Sequence, residues 1–315
     1  MTLAILCSGQ GPQHPDMFAL TGAAPAAADL FGHATALLGG RDPRALVRAQ
    51  DHEALHVNRV GQILCTLQTV TAAAAVPEIV AGRRIVAGYS VGEVGAWAVA
   101  GLVAPTTALD LAAKRADAMD AASSPGDGLL FVRGLERGVV EDLCAPHGAA
   151  VAIVSPGRAY VLGGAGRDLD RLGEAARDAG AERVVRVPVR VASHTPKLAA
   201  ASTSFRRTLD DADVARGVRA GMRLLSGIDA APVLDRSGGL DRLARQISQT
   251  IRWADCLAAC VEGGADAFLE LGPGRALSAM ATAAHPDLPA RSLDDFRTLR
   301  GVQEWLERVA PEVRV

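Results

Sequence analysis

The sequence predicts an α/β protein: a large α/β-hydrolase-like domain with a parallel sheet, built from residues 1–123 and 190–315, carrying a small inserted ferredoxin-like subdomain at residues 124–189. Three observations predict it. Short, continuously apolar runs alternate with helix-length segments, the pattern of strands covered on both faces in a parallel sheet. The stretch Gly88-Tyr89-Ser90-Val91-Gly92 follows one such run and opens a helix, the form of a strand-to-helix corner with a serine at its tip. Beyond the punctuation Ser123-Ser124-Pro125-Gly126-Asp127-Gly128 the order changes to βαββαβ, the split-βαβ pattern.

Leu3 to Cys7 reads as the first buried strand, closed by the loop Ser8-Gly9-Gln10-Gly11-Pro12, and its neighbour is expected to be the strand Arg84 to Gly88. Residues 26–39 and 59–76 have helical composition, the second stopping before Pro77. Helices are expected at 92–101 and 105–122, Pro105 suiting a first helical turn. The insert reads as strand 129–133, helix 136–145, strands 149–154 and 159–162, helix 169–179 and strand 183–189. The chain then returns as helix 196–210, strand 223–227, helices 239–249 and 254–262, strand 266–270 and helix 275–284.

Composition narrows the function. With 49% hydrophobic and 22% charged residues the chain is a folded protein able to bury a substantial core. A net charge of -2 and 3% aromatic residues offer neither the basic footprint nor the stacking platforms of a nucleic-acid binder. Five scattered cysteines (Cys7, Cys65, Cys144, Cys256 and Cys260) argue against a disulfide framework and for a reducing compartment. No apolar run approaches the ~20 residues of a membrane span, and the first residues lack a basic leader, so a cytoplasmic location is expected.

At the corner, Gly88 and Gly92 allow strand and helix to approach while the turn pushes the Ser90 hydroxyl outward, and the free N–H groups of the helix start, Val91 included, face any developing oxyanion. The plainer reading is a glycine-rich turn with a serine N-cap. A serine hydroxyl needs a base. His194, in Ser193-His194-Thr195-Pro196 where the insert hands the chain back, is the best placed, its alternative being a solvated loop histidine. Arg115, on periodicity alone, is a surface arginine. His52-Glu53-Ala54-Leu55-His56 matches a zinc-peptidase pattern but has no third ligand at the required spacing, Glu78 being the nearest substitute, so no metal is expected. The Gly9 and Gly163–Gly166 clusters do not meet the dinucleotide fingerprint.

Taken together, six places in order resemble the malonyl-CoA:acyl carrier protein transacylase family over nearly the whole chain: Gly9-Gln10-Gly11, Gly88-Tyr89-Ser90-Val91-Gly92-Glu93, Arg115 in the second helix after the corner, Ser193-His194, Gln246 ahead of Arg252-Trp253, and Glu270-Leu271-Gly272-Pro273-Gly274. Three departures, Tyr89 for a histidine, Pro12 for a serine and Ser155 for an asparagine, look like the malonate decarboxylase epsilon subunit. The resemblance implies Ser90 as nucleophile and His194 as base, oriented by a backbone carbonyl near Gln246. It also implies an oxyanion hole from the backbone N–H groups of Gln10 and Val91, and Arg115 as ligand of the malonyl carboxylate.

Malonyl-CoA would be the substrate, with no cofactor held permanently. The acceptor would be the thiol of an acyl carrier protein: the favoured expectation is phosphoribosyl-dephospho-CoA beside other malonate decarboxylase subunits, and the alternative is phosphopantetheine for fatty acid synthesis. Two rivals remain: a serine esterase or thioesterase of α/β-hydrolase type using Asp266 and His285 with water as acceptor, and a non-catalytic carrier-binding subunit.

Overall fold

Residues Leu3–Cys7 run beside Arg84–Gly88 in a computed structural model that describes residues 1–49 and 51–309. These are the central strands β1 (Thr2–Cys7) and β2 (Arg84–Gly88), and every residue of both is buried, odd and even side chains alike. In a pleated strand that occurs only when both faces of the sheet are covered. The insert contributes β3 (Asp127–Arg133), β4 (Ala150–Ser155), β5 (Ala159–Ala165) and β6 (Arg183–Val187). The chain then adds β7 (Met222–Leu225), β8 (Ile251–Arg252), β9 (Ala265–Glu270) and β10 (Ala290–Ser292). The main sheet has the order β10-β9-β1-β2-β7, all parallel.

The register decides where chemistry can occur. Cys7 pairs with Gly88 and the Tyr89 N–H donates to the Cys7 carbonyl at 2.9 Å, so the loops carrying Gln10 and Ser90 leave the sheet side by side at its C-terminal edge. That edge is where parallel α/β sheets place their ligands.

The insert forms the order β6-β3-β5-β4, antiparallel throughout, and its two faces do different jobs. Leu130, Val132, Tyr160 and Leu162 form a separate small core with Val140 of the helix Arg137–Cys144 and Leu169 and Leu172 of the helix Gly166–Asp178. Leu129, Ile153 and Val161, on the alternate face, join the core of the parallel domain. Period-two alternation thus lets one sheet close its own core and roof a crevice.

Strand β8 pairs in parallel with β4, so two residues from beyond β7 extend the antiparallel sheet. Such a short strand leaves no alternation to read, and the sequence reading did not anticipate it. It also missed β10, the helix Leu299–Val309 and the short helices Pro43–Arg48 and His52–Leu55. The expected helix at 105–122 coincides with Pro105–Ala122, whereas the corner helix stops at Val99, two residues early.

Candidate active site

The corner is built by glycine. A Cβ on Gly88 would lie 2.2 Å from the Glu93 Cα, and one on Gly92 would lie 2.0 Å from the Cys7 carbonyl oxygen, so no side chain fits at either place. Between them Ser90 takes φ 57°, left-handed backbone that a serine adopts only where its surroundings impose it. The eight-residue helix Gly92–Val99 begins immediately afterwards.

The Ser90 hydroxyl meets the His194 ring: Oγ lies 2.8 Å from Nε2. The other ring nitrogen, Nδ1, lies 2.6 Å from the Gln246 carbonyl oxygen. A carbonyl only accepts, so Nδ1 carries the proton and Nε2 is left as the acceptor of the serine O–H. His194 is 1% exposed and also has positive φ, 61°. Burial, and after it the positive charge of Arg115, pushes its pKa down to about 3, so the imidazole is neutral.

Arg115 corrects the expectation of a surface arginine: it is fully buried. Nη1 donates to the Gln62 side-chain oxygen at 2.8 Å and approaches the Met119 sulfur, while Nη2 donates to the Gln246 side-chain oxygen at 2.9 Å. The buried Nε–H has no acceptor among the described residues. Burial draws the guanidinium down to about 10, with Glu93 opposing, so it stays charged at neutral pH.

Gln246 ties these parts together. Its amide nitrogen donates to the Ser90 carbonyl and to Glu93 Oε2, both at 2.8 Å, while its own backbone carbonyl faces His194. Glu93 Oε2 also accepts from the Gly227 N–H at 3.1 Å.

The Gln10 loop is fastened beside the serine. Its side-chain amide donates to the Asn58 carbonyl at 3.1 Å, Ser8 Oγ donates to Glu270 at 2.7 Å, and Gln13 accepts from the Gly11 N–H. Among the described residues, neither the Gln10 nor the Val91 backbone N–H donates to a protein acceptor. Ser90, His194, Gln10 and Tyr89 line a cavity of about 60 Å³ whose remaining wall, Ser193 apart, is apolar, with Leu129, Ile153, Val161, Val187 and Val189. One water needs at least ~10–15 Å³ on this measure, so the space suits a short acyl group. An adjoining cleft of about 500 Å³ reaches His194 from between Arg137 and Val154 on one side and Ile228, Thr250 and Arg252 on the other.

Other candidates do not converge here. Asp266 takes the Thr2 N–H at 2.8 Å at the N-terminal edge of the sheet, and His285 stacks on Phe268, so neither stands beside Ser90. His52-Glu53-Ala54-Leu55 is a single turn, Glu53 is exposed and pairs with Arg190, and the His52 side chain lies outside the described residues. Among the described residues no three His, Cys, Asp or Glu side chains form a metal-binding group. Sequence reasoning overlooked Gln62 and Met119, and quoted Glu93 without giving it a role. The available signal was polarity in helices otherwise buried all round: Asn58, Gln62, Thr66 and Thr69 all lie inside the helix Asn58–Ala75.

A parallel α/β sheet with an elbow serine hydrogen-bonded to a histidine defines the class of proteins that pass acyl groups through a serine. Comparison with known proteins places the chain within that class. It belongs to the acyl transferase domain family, which matches residues 5–288. Among curated relatives, a malonyl CoA-acyl carrier protein transacylase of Mycobacterium tuberculosis is 31% identical over 92% of this chain and 96% of its own length. The polyketide synthase GfsB of Streptomyces halstedii is also 31% identical, over 89% of this chain but 5% of that protein. Among solved structures, MCAT from Mycobacterium tuberculosis superposes with a TM-score of 0.85 at 29% identity, covering 93% of this chain and 96% of that one. An acyl-carrier-protein S-malonyltransferase from Burkholderia pseudomallei gives 0.87 at 26%, covering 96% and 100%.

Proposed function

We propose that this protein is a malonyl-CoA:acyl carrier protein S-malonyltransferase acting through a malonyl-Ser90 ester. The observation that carries the proposal is the 2.8 Å contact between Ser90 and a neutral His194, both joined through Gln246 to the buried cation Arg115. Ser90 Oγ attacks the thioester carbonyl as its proton passes to His194 Nε2. The tetrahedral adduct collapses with cleavage of the C–S bond, and Nε2 returns that proton to the departing CoA thiolate. In the second half the carrier thiol gives its proton to Nε2, sulfur attacks the ester, and Ser90 Oγ recovers the proton as it leaves.

The backbone N–H groups of Gln10 and Val91 serve as the oxyanion hole, where one lost donor costs about 2.7–4 kcal/mol. Gln246 supports the site by holding the histidine tautomer. Arg115 takes the free malonyl carboxylate, a role supported by its unpartnered Nε–H and by an Nη2 that spends one of its two protons on Gln246.

The acceptor is the phosphopantetheine thiol of an acyl carrier protein; the curated transacylase relatives support it. The second reading, malonate decarboxylase with a phosphoribosyl-dephospho-CoA carrier, rests on the departures at residues 12, 89 and 155, two of which interact: the Tyr89 phenol hydrogen-bonds Ser155. The same proposal takes residues 1–123 with 190–315 as an α/β-hydrolase-like acyltransferase domain and 124–189 as a ferredoxin-like insert, supported by the strand order β6-β3-β5-β4. Five unpaired cysteines support a cytoplasmic setting, and among the described residues no helix is long and apolar enough to cross a membrane.

Intact-mass measurement after mixing with malonyl-CoA tests the chemistry: the protein gains one malonyl group and Ser90→Ala gains none. An adduct persisting on the alanine variant refutes it. Offering the malonylated protein both carrier types then separates the two readings by which thiol is loaded.

A further inference from the structure

We propose that Glu93 is the proton-accepting partner of the acyl-carboxylate site: ionised across Gln246 from Arg115 while the crevice is empty, it takes up a proton when a substrate carboxylate docks on that arginine. The inference rests on the transacylase reading and extends it to a residue that makes no contact with substrate. Glu93 and Arg115 are both 0% exposed and do not touch. One side chain stands between them, Gln246, whose oxygen accepts from Nη2 at 2.9 Å and whose nitrogen donates to Glu93 Oε2 at 2.8 Å. The empty cluster is therefore a neutral pair, one cation and one anion bridged by an amide. A docked carboxylate makes it two anions to one cation with no water to spread the excess, and a buried unpaired charge is relieved most cheaply by neutralisation.

Glu93 is the group built to yield. Its Oε1 is buried and has no hydrogen-bond partner, so protonation there breaks no bond, while both bonds to Oε2 survive on a carboxylic acid. The groups facing it are few. Arg115 favours its ionised form and Asp229 opposes it; Gln246 and Gly227 hold it by hydrogen bonds; Cys256 is held as a thiol by burial; and His194, across Gln246, is neutral. Desolvation by burial, the largest of these influences, places the carboxyl at about 7 in the empty site, where a second negative charge moves it through the neutral range. Because the bound anion raises this value, binding consumes protons above pH 7 and consumes none below about pH 6, where Glu93 already carries one.

The measurement is calorimetric titration of malonyl-CoA into Ser90→Ala protein in two buffers of different ionisation enthalpy, with acetyl-CoA as the ligand that lacks the carboxylate. At pH 8 malonyl-CoA takes up about half a proton or more beyond acetyl-CoA, its Kd rises by up to tenfold per pH unit above 7, and Glu93→Gln loses both effects while still binding malonyl-CoA. Equal uptake for the two ligands on Ser90→Ala overturns the proposal without recourse to the Glu93 variant, and uptake retained in a folded Glu93→Gln assigns the proton elsewhere and overturns it too. Malonyl-CoA binding without uptake sinks this proposal alone. Failure of the unmutated protein to form a malonyl adduct sinks the transacylase reading and this proposal with it.

Discussion

Two buried glutamates stand behind the loops of this crevice, and they are finished differently. Glu270, at the end of β9, has both oxygens occupied: Oε1 accepts from Ser8 Oγ and the Leu277 N–H, and Oε2 from the Ser278 N–H at 2.8 Å, the last two at the start of the helix Ala276–Ala284. Glu93 has one oxygen occupied and one bare. Burial raises the pKa of both. The saturated carboxylate fastens the Gln10 loop to the neighbouring strand β9 and the helix after it, and has no capacity left for anything else. The unsaturated one is tied through Gln246 to Ser90, His194 and Arg115. Completeness of hydrogen bonding, more than burial or charge, separates the glutamate that holds the frame from the one beside the chemistry.

The largest effect expected lies on the Glu93 side of this contrast. His194→Ala, which removes the ring that Gln246 orients, lowers kcat for malonyl transfer by about 10²–10⁴-fold in a coupled thiol-release assay. Arg115→Ala comes next. It narrows the kcat/KM preference for malonyl-CoA over acetyl-CoA by about 30-fold or more, since breaking a buried charge pair costs about 2–5 kcal/mol. Glu270→Ala inverts the pattern: three buried donors lose their acceptor, and urea denaturation registers a loss of about 3 kcal/mol. Glu93→Gln keeps an acceptor for both of its donors and costs less than about 1 kcal/mol in the same assay. If the two glutamates prove equally costly to the fold, the contrast collapses.

Protonation sharpens the same comparison. His194 must be neutral to act as base, and burial together with Arg115 holds it to about 3 in the free protein, well under its ordinary value. The acid limb of kcat/KM, which reports the free enzyme, is therefore displaced below the usual histidine range near 6.5. For stability the sign is the same. A group favoured neutral in the folded state contributes fully above its unfolded pKa, and that contribution is lost as pH falls from about 6.5 towards 3. A limb at 6 or above would mean that water reaches the ring.

The sequence showed the scaffold and the reacting pair, but not the connections. β1, β2 and the helix Pro105–Ala122 are legible because each is a long apolar or periodic run with glycine or proline at its ends. Ser90 is legible because a tight corner demands glycine on either side. Arg115 is not, because a helix position says nothing of whether its neighbours are solvent or Gln62 and Gln246, which lie 53 and 131 residues away along the chain. The sequence places Glu93 at the start of a helix and Glu270 at the end of a strand, but neither position says which carboxylate is satisfied; only the folded partners show that. β8 escaped because two residues cannot display a period.

A comparably small effect concerns Tyr89, where this chain departs from the usual histidine beside the serine. Its ring meets Trp253 edge-on at 5.3 Å and its hydroxyl reaches Ser155 on β4, so it ties the corner to the insert. Burial raises the phenol's pKa, which keeps it a neutral hydrogen-bonding group throughout the working range. Tyr89→Phe keeps the ring contact and loses only the bond, worth about 0.5–1.5 kcal/mol, and Ser155→Ala loses the same bond from the other end. The double variant should therefore be no less stable than the worse single one, with the coupling energy equal to that bond. Additive losses in urea denaturation would show that the two residues act separately. The departures at 89 and 155 would then be two independent changes, and the tie between corner and insert would rest on the Trp253 contact alone.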